Sequence, residues 1–72
     1  MPLENIYFVN REQVRLYLLS GTKLYINNNY WQITFNGVSC YQNNNKELVK
    51  TEKIDFVTDL IWREENCKVD LN

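Results

Sequence analysis

Apolar and polar side chains alternate through residues 22–42 in one consistent order, and two turn-forming sequences interrupt them. Alternation with a period of two is typical of strands that bury one face and leave the other in water. The interruptions are the asparagine triplet at residues 27–29 and the pair Asn36 and Gly37, which favours a two-residue type I′ turn. This stretch therefore predicts a meander of three antiparallel strands with one covered face and one solvated face.

Two registers are open for the first hairpin of this meander, and side-chain pairing separates them. A loop at residues 28–29 sets Ile26 opposite Trp31, so that apolar residues meet across the pair. A loop of all three asparagines would set apolar residues opposite polar ones, because a slip of one residue inverts every side chain. We therefore predict the first register. The covered face then consists of Leu24, Ile26, Trp31, Ile33, Phe35, Val38 and Cys40.

A capped helix is predicted before the meander. Asn10 can accept a hydrogen bond from the amide of Gln13, and the Gln13 side chain can reach back to the Asn10 amide, as in a capping box. Apolar residues then recur at helical spacing until Gly21, which suits the left-handed position that ends many helices. The pattern predicts a helix over residues 11–20, and a strand over residues 5–9 before it.

Residues 54–61 fit two templates, and the sequence leaves both open. Their apolar side chains form one stripe at helical spacing, and they also alternate as in a strand. We favour a short helical turn over residues 53–58 followed by a strand over residues 60–64. Trp31 of the meander and Trp62 of this segment are both expected in the core.

These pieces together predict an α+β fold in a single domain that spans residues 1–72. One N-terminal helix packs on an antiparallel sheet, which consists of the three-strand meander at residues 22–42 plus N- and C-terminal strands. After a loop at residues 43–45, residues 46–50 are expected to form a short edge strand whose lysines discourage pairing with other chains. Residues 66–72 are expected to be a flexible tail.

Length and cysteine content limit the stability of this fold. A chain of 72 residues buries only about 60% of the surface that its unfolded form exposes, and a homo-oligomer is one way to enlarge such a core. Cys40 is expected on the covered face and Cys67 on the exposed tail. A disulfide between them is open, but no secretory signal precedes the domain, which favours two reduced thiols in a cytoplasmic protein.

The sequence contains no convincing catalytic or metal-binding motif. Histidine is absent, so the cysteines and serines lack their usual base and no familiar metal-ligand set can form. Asp55 and Asp59 lie four residues apart, but among lysines they are typical of solvated surface acids. The longest apolar runs, at residues 6–9 and 16–19, are far too short to span a membrane. We expect a binder rather than an enzyme, with no cofactor, no metal and no membrane partner.

The solvated face of the meander is the candidate partner surface, because tyrosine offers a large contact area with a polar tip. Two other interpretations stay open: tyrosine and threonine are simply good strand formers, or the C-terminal segment covers this face. Nucleic acid is disfavoured, because the net charge is −1 and the basic residues are not clustered. The candidate partner-binding residues are Tyr25, Tyr30, Gln32, Thr34, Tyr41, Asp55 and Asp59.

The order of elements resembles a family of small phage proteins. Their shared pattern is a helix, a Gly-Lys-hydrophobic step, a strand with tryptophan and a late Asp-Trp pair. The corresponding features here are residues 19–24 (Leu-Ser-Gly-Thr-Lys-Leu), Trp31, and residues 59–62 (Asp-Leu-Ile-Trp). Members of that family are anti-defence proteins: some block the Thoeris system by sequestering its cyclic nucleotide signal, and one is an anti-CRISPR. The resemblance implies an α+β fold and an origin in a phage or mobile element.

We therefore predict a small phage or mobile-element accessory protein that acts as a binding module in the cytoplasm of a bacterial host. Its expected partner is a host defence protein, which it would inhibit. Its acidic last third can occupy a basic site by charge complementarity. One alternative is an oligomer that binds a nucleotide signal. Another is a weak nucleic-acid-binding domain that stacks bases on its aromatic residues.

Overall fold

An antiparallel six-stranded sheet packs against two helices in the computed structural model, which describes residues 3–64 and 66–70. The strand order is β1-β6-β2-β3-β4-β5. The α+β class with an antiparallel sheet is confirmed, and the prediction of one helix missed a second. The elements are β1 (Leu3–Asn5), α1 (Arg11–Leu19), β2 (Leu24–Ile26), β3 (Asn29–Thr34), β4 (Gly37–Gln42), β5 (Leu48–Glu52), α2 (Ile54–Arg63) and β6 (Lys68–Asp70).

Helix α1 begins where the sequence predicts and ends one residue earlier than predicted, at Leu19. The side chain of Asn10 accepts from the Gln13 amide at 3.0 Å. The Gln13 side chain accepts from the amide of Val9 at 2.7 Å, one residue earlier than expected for a capping box. Gly21 follows the helix with a φ of +87°, the left-handed conformation that its position predicted. The strand expected over residues 5–9 is wrong, because β1 ends at Asn5.

Both hairpins of the meander turn one residue earlier than predicted. Leu24 pairs with Trp31 and Ile26 with Asn29, so the first loop is Asn27-Asn28. The second loop is formed by residues 35–36. Moving a two-residue loop by one position shifts the register by two residues, and a shift of two keeps every side chain on its predicted face. The predicted faces are therefore right for the residues that lie in the strands, although the predicted pairs are wrong.

The second turn differs most from its prediction. A type I′ turn needs positive φ at both central residues, but Phe35 and Asn36 are not among the described residues with positive φ. Gly37 instead has a φ of +131° at the start of β4. Phe35 therefore lies in the turn with its side chain 103% exposed, and its assignment to the covered face is wrong.

The C-terminal third contains one helix and one further strand. Helix α2 runs through residues 60–63, so the predicted strand over residues 60–64 is wrong. Helical spacing buries Val57 and Ile61 completely and leaves Trp62 41% exposed, so Trp62 is not a core residue. The edge strand β5 begins two residues later than predicted.

The segment expected to be a flexible tail is part of the sheet. Strand β6 inserts between β1 and β2, with Lys68 paired to Asn5 on one side and Tyr25 on the other. Residues 71 and 72 lie outside the described part of the chain. Cys67, expected to be exposed on this tail, is buried, because it precedes a strand that pairs on both edges.

The core lies between the covered face of the sheet and the two helices. Every residue that the sequence assigned to that face except Phe35 belongs to this core or packs against it. Among the described residues, the buried members of the cluster are Val14, Leu18, Leu24, Ile26, Trp31, Val38, Cys40, Val57, Ile61 and Cys67.

Candidate functional site

Three tyrosines form a row across neighbouring strands on the sheet surface opposite this core. Tyr30 of β3 is paired with Tyr25 of β2 on one side and with Tyr41 of β4 on the other. The ring centroids are 5.4 Å apart for Tyr25 and Tyr30, and 5.2 Å apart for Tyr30 and Tyr41, which stack. The register extends the row to Lys68 of β6 and Leu48 of β5. We call this surface of the sheet the tyrosine face.

The tyrosine rings are less accessible than the sequence suggests. Tyr25 is 8% and Tyr30 is 6% exposed, whereas Tyr41 is half-buried. The ammonium groups of Lys23 and Lys46 lie 5.1 Å and 5.3 Å from the centroid of the Tyr30 ring. Contacts of this kind between an ammonium group and a ring are attractive. The face therefore presents positive charge above aromatic rings, rather than open ring surfaces.

The polar residues of the tyrosine face are used within the domain. The side-chain amide of Gln32 donates to the carbonyl of Gly21 at 3.1 Å, which connects β3 to the end of α1. The hydroxyl of Thr34 donates to the carbonyl of Gly37 at 3.1 Å. These bonds stabilise the two ends of the meander, so both side chains have structural partners besides the contacts they could offer to another molecule.

Helix α2 and strand β6 do not cover the tyrosine face. Helix α2 buries Val57 and Ile61 in the core on the other side of the sheet, and β6 lies within the sheet. Of the interpretations that the sequence left open, coverage by α2 and β6 therefore fails, whereas the Lys46 side chain does reach the ring of Tyr30. The tyrosine face remains a candidate surface.

Asp55 and Asp59 lie on α2, on the helix side of the molecule, apart from the five candidate residues of the tyrosine face. Asp59 forms an ion pair with Arg11, and the Asp55 carbonyl accepts from Arg11 at 3.3 Å. The Asp59 hydrogen bond raises the pKa of the Arg11 guanidinium, and the negative charge nearby adds to that effect. The structure thus separates the seven candidate residues into two groups, and Asp59 has a partner that connects the two helices.

Sequence reasoning did not single out two residues that shape the tyrosine face. Lys46 follows the asparagine loop and has a φ of +61°, a conformation that residues other than glycine rarely adopt. Leu48 pairs with Tyr41 at the edge of the sheet and is 60% exposed. The available signal was the second asparagine triplet, because asparagine-rich loops often contain left-handed residues. The backbone reversal there carries Lys46 to the ring of Tyr30.

A polar hollow lies beside this site, between the two asparagine loops. It has a volume of about 550 Å³ and is lined by Asn28, Asn29, Gln42, Asn43 and Asn44. The amide of Asn43 donates to the carbonyl of Asn28 at 2.8 Å, which connects the loops. Lys46 donates to the Asn43 side chain at 3.4 Å. Amide groups and one ammonium group therefore meet at this end of the sheet.

A second depression lies between the segment before α1 and the end of α2. It has a volume of about 660 Å³ and is lined by Ile6, Tyr7, Phe8, Trp62, Glu64 and Asn66. Tyr7 and Trp62 are both exposed there. This depression was not predicted from the sequence, because Trp62 was expected in the core.

The two thiols are buried and do not form a disulfide. Burial raises the pKa of the Cys40 thiol, although Lys50 partly opposes the shift, and burial raises the pKa of the Cys67 thiol to about 12. Only the thiolate is an effective nucleophile, so the folded state suppresses the reactivity of both groups. Within residues 3–64 and 66–70, no three histidine, cysteine or acidic residues come together as ligands for a metal ion.

Stability at alkaline pH should report the burial of Cys67. The unfolded thiol ionises near its ordinary pKa of 9.0, but the folded thiol stays protonated until pH about 12. Its stabilising contribution is thus complete below pH 9 and is lost as the pH rises toward 12. Between about pH 8 and about pH 10, we expect the free energy of unfolding of the wild type to fall by about 1.4 kcal/mol more than that of Cys67→Ala. Urea titrations at both pH values measure this difference, and parallel losses in the two proteins would contradict it.

Comparison with models of protein families, with curated proteins and with solved structures found no match to this chain. Neither helix in the described part of the chain is long and apolar enough to cross a membrane. Any function must therefore be argued from the surfaces described above.

Proposed function

We propose that this protein is a binding module whose tyrosine face contacts another protein. In keeping with the resemblance to small phage anti-defence proteins, the partner is a host defence protein in the bacterial cytoplasm, and binding inhibits it. The observation that carries this proposal is the row of Lys68, Tyr25, Tyr30, Tyr41 and Leu48 across five strands on the side away from both helices.

The make-up of this row supports a protein partner over a nucleic acid. Binding of single-stranded nucleic acid depends on aromatic rings whose faces are free for stacking. Tyr25 and Tyr30 are nearly inaccessible, and Lys23 and Lys46 already occupy the space at the Tyr30 ring. Protein interfaces instead combine a half-buried aromatic or aliphatic anchor with a polar rim. Tyr41 and the exposed Leu48 supply such anchors, and the lysines supply the rim.

The placement of these groups on paired strands supports binding as well. Tyr41 and Leu48 lie on paired strands, and the hydroxyl of Ser39 bonds that of Thr51 at 2.8 Å across the same two strands. The sheet already orders the backbone that carries both side chains, so that backbone loses little conformational freedom when a partner binds, which lowers the entropic cost of association.

Capture of partners by immobilised protein tests the proposal. Tyr41→Ala combined with Leu48→Ala removes the two accessible anchors, so we expect at least about a tenfold loss of affinity for the partner, as for interface hot spots. Tyr25 and Tyr30 are unsuitable for this test, because their burial makes their truncation a stability change. Bacterial lysates are passed over each variant, and the bound proteins are quantified by mass spectrometry.

The matched control is Leu16→Ala combined with Leu19→Ala, which truncates two exposed apolar residues on α1. A partner of the tyrosine face is a protein that wild type and control retain equally and that the Tyr41 and Leu48 variant loses. If every captured protein binds all three variants alike, the proposed surface is refuted.

A small polar ligand is the second candidate, and the amide-lined hollow of about 550 Å³ favours it. Asparagine and glutamine side chains can both donate and accept hydrogen bonds, as recognition of a nucleotide signal requires. Thermal stabilisation by cyclic nucleotides, with oligomers seen by light scattering, would favour this alternative over a protein partner.

A further inference from the structure

We propose that Lys23 and Lys46, held at the ring of Tyr30, form a recognition site for the carboxylates of an acidic protein segment. This inference rests on the proposed function, since the acidic segment belongs to the partner that the tyrosine face contacts. The two ammonium groups lie 5.1 Å and 5.3 Å from one ring centroid, so their nitrogens are no more than about 10 Å apart. A chain with neighbouring carboxylates can contact both.

Neither lysine is neutralised by a carboxylate within the described part of the chain. The ion pairs found there are Arg11 with Asp59, Arg15 with Glu12, and Lys50 with Glu52. Lys23 and Lys46 instead contact the ring of Tyr30, and Lys46 also donates to the neutral side chain of Asn43. Two positive charges near one ring repel each other weakly in water, and an anion between them would remove that repulsion.

The backbone of Lys46 is an independent observation. Its φ of +61° is one of only two positive values among the described residues other than glycine, and the other belongs to Asn27. Asparagine tolerates this conformation because its short side chain can bond to the adjacent backbone, which the long lysine side chain does not do as readily. Strained conformations of this kind concentrate at binding sites. Three asparagines precede Lys46 and Glu47 follows it, so Lys46 is the one cationic residue of the loop between β4 and β5.

The shape of the site favours an extended segment over a single phosphate group. Lys68 pairs with Tyr25 at one end of the row, and Leu48 pairs with Tyr41 at the other end. Five strands spaced by about 4.8 Å give a row of about 19 Å, which is the length of about six extended residues. Lys68 places positive charge at one end of the row, and the lysines at the Tyr30 ring place it in the middle. Leu48 provides an apolar side chain at the other end. This arrangement suits a chain of alternating acidic and apolar residues.

A blocked hexapeptide of alternating glutamate and leucine tests the site, with its glutamine counterpart as the neutral control. Binding is measured by chemical shift titration at about 0.02 M ionic strength, where exposed charges are screened least. The double variant Lys23→Gln with Lys46→Asn removes both ammonium groups and keeps a residue that accepts the left-handed conformation. We expect it to bind the glutamate peptide about fivefold more weakly than the wild type.

Lys50→Gln with Lys53→Gln is the matched control, because it removes the same charge away from the tyrosine face. We expect less than about a twofold change for it. Equal losses in the two double variants, or equal binding of the glutamine peptide, would overturn the proposal. Tighter binding of inorganic phosphate than of the glutamate peptide at Lys23 and Lys46 would overturn it too, in favour of a phosphate site.

The outcomes also separate this inference from the proposed function. If partner capture depends on Tyr41 and Leu48 but the peptide does not bind at the lysines, only the acidic-segment site fails. If the peptide binds at the lysines while capture is the same for every variant, the protein-binding function fails and the anion site remains.

Discussion

Replacement of Ile61 by lysine is expected to unfold the protein at 25 °C. Ile61 is completely buried between α2 and the sheet, so the substitution loses apolar contacts that are typically worth about 2–5 kcal/mol. The ammonium group would be placed among apolar side chains, at a cost of several kcal/mol more. A domain of this length has a total stability of only about 4–11 kcal/mol. Circular dichroism and the dispersion of amide proton shifts measure the loss of structure.

The neighbouring substitution Trp62→Lys is the control, and it should leave the protein folded. Trp62 is partly exposed near the end of α2, where a lysine stem can lie along the surface with its ammonium group in water. A positive charge in the last turn also interacts favourably with the helix dipole. We expect a loss of about 1–2 kcal/mol, mainly from packing in the depression beside Tyr7.

This pair of variants separates a helix from a strand directly. A strand over residues 60–64 would point Trp62 inward and Ile61 outward, so that the lysine at position 62 would be the damaging one. A folded Ile61→Lys protein together with an unfolded Trp62→Lys protein would therefore contradict α2.

The meander shows why the faces of a sheet can be predicted from sequence more securely than its turns. Burial repeats every second residue, so the positions of Leu24, Trp31 and Cys40 determine which side faces the core. The position of a turn depends on smaller energy differences, between the local preference of the turn residues and the placement of their neighbours. Asn36-Gly37 favours a type I′ loop, but that loop would have placed Phe35 in a strand. The observed turn uses Gly37 beside β5 instead, an interaction between strands that no local sequence pattern contains.

The second half of helix α2 and the whole of strand β6 were missed for a related reason. The apolar side chains of residues 54–61 fit both the spacing of a strand and the spacing of a helix. Which structure forms depends on the surface that these side chains pack against. Val57 and Ile61 pack on a sheet surface that exists only after β2, β3 and β4 have paired. Strand β6 is three residues long and gains its stability from pairing on both edges, so its sequence alone carries little signal.

The sequence predicted which tyrosines share one face of the sheet, but it did not predict the positive charge at the ring of Tyr30. Alternation placed Tyr25, Tyr30 and Tyr41 on one surface, and the structure brings them into a row. Sequence could not show that lysine ammonium groups approach the Tyr30 ring, because Lys46 reaches it only through a left-handed backbone reversal. The same limit applies to Asp55 and Asp59, whose position depends on the helix that the sequence left undecided.

Replacement of Gly37 by alanine is expected to lower the free energy of unfolding by about 2–4 kcal/mol, because it introduces two separate conflicts. The φ of Gly37 is +131°, a conformation that alanine rarely adopts. A Cβ atom at this position would also lie 2.7 Å from the carbonyl oxygen of Glu52 in β5. Relief of that contact requires movement of the backbone of β4 or β5, and no side-chain rotation can provide it. Urea unfolding of the wild type and Gly37→Ala measures the difference.

Comparison with Gly21→Ala separates the cost of the Cβ contact at Gly37 from the cost of the backbone conformation. Gly21 has a φ of +87°, but a Cβ atom there meets nothing within 4 Å. Its substitution should therefore cost only about 1 kcal/mol, the conformational part alone. Because Gly37 lies where the second hairpin meets the edge strand, the excess cost of Gly37→Ala measures how closely β4 and β5 approach. Equal costs for the two variants would mean that β5 can move away freely, and the position of Leu48 beside Tyr41 would then not be fixed by the sheet.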